Sequence, residues 1–270
     1  MSATTRAVRG LEMTYNVRGG GAPVVLLHGF PFNHTMWRGQ VEALSEGHRV
    51  ITPDLRGHGG TGLVEGTTSS SMEEMATDVA ALLDELNVSE RVVLGGLSMG
   101  GYVTLAFFRL FADRVRALVL ADTRPQPDTE EARRAREETA QRALREGMQT
   151  VADAMLPKLL APSTHEEKPE VIERVREMIL ATRPEGAAAA LRGMAARRDQ
   201  TDLLQEIVVP TLIIVGSEDS LTPPKDSEAM HHAIRGSRLV IIEGAGHVSN
   251  LERPTEFNRA LEDFLNGIES

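Results

Sequence analysis

Apolar positions along this chain follow two rhythms. Short continuous runs recur at Val24–His28, Arg49–Pro53, Val92–Gly95, Val115–Ala121, Thr211–Val215 and Arg238–Ile242, several of them closed by Gly, Pro or Asp. Runs of this length and content predict strands buried on both faces. Between them, apolar residues spaced three and four apart predict helices over Ser71–Leu86, Met99–Phe111, Lys225–Ile234 and Thr255–Phe264. Leu11–Val17 reads as an antiparallel edge strand, because Gly19, Gly20 and Gly21 permit a tight reversal before the first parallel strand. Strands alternating with helices predict an α/β fold, a mostly parallel sheet flanked by helices.

The alternation stops at Thr123. From there to about Gln200 the strand signal vanishes and helix signals take over: Asp128 and Thr129 offer an N-cap, and Pro169 opens a helix whose Val171, Ile172, Val175, Met178 and Ile179 share one face. The expected organisation is therefore a core domain made of residues 1–122 and 201–270, with a helical cap, 123–200, inserted after a core strand.

Composition narrows the function classes. The chain has 270 residues and no cysteine, so disulfides, thiolate catalysis and Cys-ligated zinc are excluded. Its net charge of −10 disfavours a general nucleic-acid binder. Inside the insertion basic and acidic residues balance, so that segment reads as a mixed-charge helical surface. The first residues lack an apolar secretory core and no run approaches a membrane span, which gives the expectation of a cytoplasmic protein without membrane partners.

One serine changes the picture. Gly96-Leu97-Ser98-Met99-Gly100 is a G-x-S-x-G motif that follows a strand and opens a helix. A sharp turn there lifts the hydroxyl above the sheet and sets it at a helix N-terminus, where N–H groups meet developing negative charge. The glycine spacing fits neither a dinucleotide fingerprint, since Leu97 stands two places after Gly95, nor a Walker loop, since no lysine is present. A serine nucleophile needs a base, and the base needs an orienting acid. Asp219 follows the run TLIIV, and His247 follows RLVIIE, so both lie just past strands, where open α/β sheets bind ligands.

With these residues in place, the chain resembles the α/β-hydrolase family over nearly its whole length. The resemblance rests on HGFP at His28–Pro31, DLRGHGGT at Asp54–Thr61, GLSMGG at Gly96–Gly101, GSEDSLTPP at Gly216–Pro224 and GAGHVSNLERP at Gly244–Pro254. It implies Ser98 as nucleophile, His247 as general base and then acid, and Asp219 as the acid that fixes the imidazole. It also implies an oxyanion hole built from the backbone N–H groups of Phe30 and Met99. Asp122, just past another strand, is the alternative acid. Phe30, Met99, Trp37, Leu156, Leu160, Met178 and Val248 are the expected substrate-pocket residues. His28, Asp54, Arg56 and His58 read as structural, and His34, His48, His165, His231 and His232 as surface or boundary histidines. Adjacent His231 and His232 do not form a metal-binding pattern.

Serine at position 98 points to acyl transfer, whereas relatives forming alkyl esters carry aspartate there. The expectation is a serine carboxylic-ester hydrolase needing no cofactor or metal and acting on a small ester or lactone, acyl-homoserine lactones included, as a monomer or small homo-oligomer. Alternatives within the resemblance are a hydrolase-like receptor for a small signal and a cofactor-free perhydrolase or haloperoxidase.

Overall fold

The computed structural model describes residues 3–269. Eight strands form one sheet: β1 (Thr4–Val8), β2 (Leu11–Arg18), β3 (Ala22–Leu27), β4 (His48–Pro53), β5 (Val92–Leu97), β6 (Val115–Ala121), β7 (Thr211–Gly216) and β8 (Arg238–Ile242). Their order is β1-β2-β4-β3-β5-β6-β7-β8. Pairing is antiparallel for β1–β2 and β2–β4 and parallel from β4 through to β8. The predicted edge strand thus lies second from the edge. β1 carries no apolar alternation in TTRAV, and four of its five residues are exposed, so the sequence pattern gave no sign of it. β5 and β7 are buried along their whole length, as expected for strands covered on both faces.

Eleven α-helices are described: α1 (Arg38–Leu44), α2 (Met72–Glu85), α3 (Met99–Phe111), α4 (Glu130–Glu146), α5 (Met148–Leu159), α6 (Pro162–Glu167), α7 (Pro169–Leu180), α8 (Pro184–Ala195), α9 (Pro224–Ala233), α10 (Ser249–Glu252) and α11 (Pro254–Glu269). Local chemistry sets several of their starts. Ser71 accepts from the Glu74 N–H at 3.1 Å while Glu74 accepts from the Ser71 N–H at 2.9 Å, a reciprocal cap that opens α2. Thr129 accepts from the Ala132 N–H at the start of α4, and Pro169 begins α7. Asp128 does not cap; it is buried against arginines.

Five helices, α4–α8, lie between β6 and β7, and no strand is described among them. Within this segment α4 packs on α8 and α5 on α7. α8 also rests directly on the rest of the chain. A Cβ at Gly193 would stand 1.6 Å from the Ser70 carbonyl oxygen, so only glycine permits that approach. Among the described residues, no helix is long and apolar enough to cross a membrane.

Candidate active site

The turn between β5 and α3 carries Ser98 with φ +54° and ψ −113°, a left-handed conformation that costs an L-residue roughly 1–3 kcal/mol. The surroundings hold it there. The Ser98 N–H donates to the Ala121 carbonyl at 2.9 Å, and the Ser98 carbonyl accepts from the Gly101 N–H and from Thr123 Oγ1, each at 2.9 Å. Backbone packing explains the flanking glycines: a Cβ on Gly96 would lie 2.1 Å from the Gly100 carbonyl oxygen, and one on Gly100 would lie 2.1 Å from that of Leu27. β5, α3 and the end of β3 therefore meet backbone to backbone, and the hydroxyl is carried up at the sheet's C-terminal edge.

His247 and Asp219 reach the same edge from the ends of β8 and β7. His247 Nε2 lies 2.8 Å from Ser98 Oγ, and His247 Nδ1 lies 2.8 Å from Asp219 Oδ2. Asp219 Oδ1 accepts from the N–H groups of Leu221 (2.8 Å) and Thr222 (2.9 Å), and Oδ2 accepts from Thr222 Oγ1 at 2.7 Å. Burial alone disfavours an ionised carboxyl here. The His247 charge and hydrogen bond, with those donors, outweigh it and hold Asp219 below the usual carboxylate range. For His247, burial opposes the imidazolium, but the Asp219 charge and hydrogen bond more than offset it, and its pKa is raised above 6.5.

Asp122 does not take the acid's place. It stands at φ +45°, fully buried, accepting from the Gly216 N–H at 2.9 Å and pairing with Ser249 Oγ at 2.5 Å. Burial and then the neighbouring Asp219 charge push its pKa well above the usual carboxylate value.

The HGFP loop is braced from behind. His28 bonds the Gly29 carbonyl through Nδ1 (2.9 Å) and accepts from the Leu55 N–H through Nε2 (2.9 Å), which fixes it as the neutral tautomer. Burial lowers its pKa to about 4 and that of His58 to about 3. Asp54 bonds both the His34 N–H and His34 Nδ1 at 2.7 Å, so His34 is a buried member of this network and not a surface residue. His48 is likewise at the buried edge of β4. Met99 is the first residue of α3, so its N–H lies in the unbonded first turn of that helix.

A cavity of about 290 Å³ opens on this site, lined by Ser98 and His247 together with Phe30, Tyr102, Arg124, Arg136, Met155, Lys158, Leu159, Leu191 and Met194, among others. Of the expected pocket residues only Phe30 lies on its wall. Trp37 packs in the core against Phe257, ring centroids 6.0 Å apart. The Met99 side chain and Val248 are fully buried in the core. α5 turns Ala154, Met155, Lys158 and Leu159 to the cavity, positions three and four apart on one face, and Leu156 falls off that face. Leu160 lies past the helix end in extended backbone, and Met178 is buried on α7, which packs on α5. The sequence reading missed Arg124, Tyr102 and Arg136. Arg124, three residues past β6 at the ligand-binding edge, is the one with a positional signal.

The helical segment is also tied to the histidine loop. The Leu159 carbonyl accepts from the His247 N–H at 2.9 Å. Glu252, fully buried, accepts from the Gly246 N–H (2.8 Å), the Ala161 N–H (2.7 Å) and Thr164 Oγ1 (2.6 Å). Thr182 Oγ1 donates to the Pro31 carbonyl at 2.7 Å, beside Phe30.

Comparison with known proteins agrees with this fold. A malate-bound thermophilic esterase from Thermogutta terrifontis superposes with a TM-score of 0.94 at 45% identity, covering 99% of this chain and 98% of that one. The enol-lactonase from Burkholderia xenovorans LB400 superposes at 0.89 with 33% identity, covering 97% and 100%. A 3-oxoadipate enol-lactonase of Acinetobacter baylyi is 29% identical over 98% of this chain and 97% of its own length. The sequence model of the alpha/beta hydrolase fold matches residues 22–254, and the chain belongs to that family.

Proposed function

We propose that this protein is a serine carboxylic-ester hydrolase that cleaves small esters or lactones through an acyl-enzyme on Ser98, with the helical segment 123–200 serving as the cap over its pocket. The observation that carries the reading is the hydrogen-bonded series Ser98–His247–Asp219, 2.8 Å at each step, opening on a partly apolar cavity. Esterases and enol-lactonases among the similar proteins support it.

In the first half-reaction Ser98 Oγ bonds to the acyl carbon while its proton passes to His247 Nε2. The N–H groups of Phe30 and Met99 receive the carbonyl oxygen as it gains negative charge. The bond to the leaving oxygen then breaks, and His247 returns the proton to it. For a lactone the freed hydroxyl stays on the acyl chain. In the second half-reaction water gives a proton to His247 Nε2 as it adds to the acyl carbon; the bond to Ser98 Oγ then breaks, His247 returns the proton to that oxygen, and the acid leaves. Asp219 keeps the proton of neutral His247 on Nδ1, leaving Nε2 free to accept, and favours the imidazolium that forms.

The test is a panel of p-nitrophenyl esters, simple lactones and acyl-homoserine lactones, assayed with the protein and with Ser98→Ala. Many turnovers per molecule, abolished by the substitution, are expected. Turnover that survives Ser98→Ala overturns the mechanism. Ligand binding without turnover anywhere in the panel favours a signal receptor instead.

A further inference from the structure

The cavity over Ser98 is lined by three cationic side chains, Arg124, Arg136 and Lys158, and by no acidic one among the described residues, in a chain whose net charge is −10. Charge of this sign is concentrated at the pocket against the average of the molecule.

Structural ion pairing does not use up that charge. Asp128, buried and held ionised by its arginines against the penalty of burial, meets three guanidinium groups: Arg197 at 2.6 Å, Arg136 in a short contact, and Arg124 at 3.6 Å. One carboxylate thus faces three positive charges. Arg197 is further fixed by the carbonyls of Gln126 and Met194 and stacks over the Tyr102 ring at 4.3 Å. Arg136 bonds both oxygens of Asp128. These two arginines already satisfy that carboxylate. Arg124 is left with its 3.6 Å contact, and its Nε is buried without a hydrogen-bond partner. Its side chain nevertheless lines the cavity, and a planar guanidinium with one long ion-pair contact matches an incoming carboxylate best.

We infer that the substrate is anionic: an ester or lactone bearing a carboxylate away from the scissile bond, received by Arg124 on the cavity wall with Arg136 and Lys158 adding to the attraction. This deepens the ester-hydrolase reading and rests on it for the chemistry, although the charge preference is a separate property of the pocket.

The experiment compares two esters of equal acyl length, monoethyl adipate and ethyl hexanoate, by pH-stat, with adipate as a competitive inhibitor. Monoethyl adipate is expected to have a kcat/KM about 10- to 100-fold higher, the worth of one charge-assisted hydrogen bond, and the advantage shrinks as salt is added. Arg124→Gln should bring the ratio of the two kcat/KM values to within about threefold of one, through KM more than kcat, and raise the adipate Ki about tenfold. Arg124→Lys, which keeps the charge but not the fork, should retain part of the ratio. Equal use of the two esters by the intact protein, or a ratio unmoved in Arg124→Gln, overturns the inference and leaves the ester-hydrolase reading standing. If neither ester is turned over, the p-nitrophenyl ester and lactone panel decides the ester-hydrolase reading, and calorimetric binding of adipate to the intact protein and to Arg124→Gln decides the charge preference alone: binding weakened by the substitution upholds it, and no binding, or binding unmoved by the substitution, overturns it.

Discussion

Asp219→Asn removes one charge and little else in shape, and the structure says how it acts. Asp219 Oδ1 accepts two backbone N–H groups, so the amide oxygen of asparagine is held at that position. The amide NH₂ then falls where Oδ2 was, facing Thr222 Oγ1 and His247 Nδ1. The threonine hydroxyl can rotate to accept. The imidazole can accept at Nδ1 only by carrying its proton on Nε2, and in that tautomer it presents a donor to Ser98 and cannot take the serine proton. Loss of the correct tautomer and of the charge that favours imidazolium lowers kcat by roughly 10³- to 10⁴-fold, or about 4 to 5 kcal/mol in barrier. Asp122→Asn is the matched control. Its carboxyl bonds Gly216 and Ser249 and not His247, and asparagine can still accept from the Gly216 N–H and donate to Ser249 Oγ, so the cost stays under about tenfold. Both variants are assayed on one p-nitrophenyl ester, with thermal unfolding to confirm that each is folded. An Asp219→Asn enzyme within tenfold of the original, or a larger loss in Asp122→Asn, refutes the reasoning.

Three other outcomes are expected. Ser98→Ala and Ser98→Gly both lose turnover, but the glycine variant should unfold at the higher temperature, because relief of roughly 1–3 kcal/mol of strain at φ +54° exceeds the roughly 0.4–1 kcal/mol that glycine's unfolded-chain freedom costs; equal or reversed Tm values would show the turn to be unstrained. Activity requires neutral His247, whose pKa is raised, so kcat/KM should be full at alkaline pH and fall as the pH drops through a midpoint above 6.5; a midpoint clearly below that in a kcat/KM profile would contradict the dominance of Asp219 over burial. Leu191→Trp fills part of the roughly 290 Å³ cavity, so the rise in kcat/KM along a neutral acyl series, about fourfold per methylene, should stop at a shorter chain than in the original protein; an unchanged profile would remove Leu191 from the acyl wall.

Seven of the eight strands, and Ser98 with Asp219 and His247, were legible because each is fixed by local grammar. A run such as TLIIV is a buried strand wherever it occurs, and Asp219 and His247 come directly after such runs. The glycines at 96 and 100 are legible for the same reason, since the backbone contacts that require them are made by neighbouring elements. The pocket wall was not legible. Val175, Met178 and Ile179 announce a helix with an apolar face, but not which neighbour that face meets, and in this fold it meets α5 and the core. Arg124 and Arg136 look like ordinary surface charge until the fold gathers three guanidinium groups around Asp128. β1 escaped notice because pairing with β2 alone asks nothing of its side chains.

The bond from the His247 N–H to the Leu159 carbonyl, with Glu252 holding Gly246, Ala161 and Thr164 together, means that the histidine's backbone is anchored partly in the inserted helices. Lifting the insertion at that end would release His247 along with the helices, so a motion that admits substrate while preserving the site must leave residues 159–164 in place. The same anchorage limits domain grafting: a foreign roof joined at the ends of β6 and β7 arrives without the acceptor at Leu159 or the partners of Glu252. A chimera that leaves 159–164 native and exchanges only α4 can alter what enters while keeping the histidine where it stands.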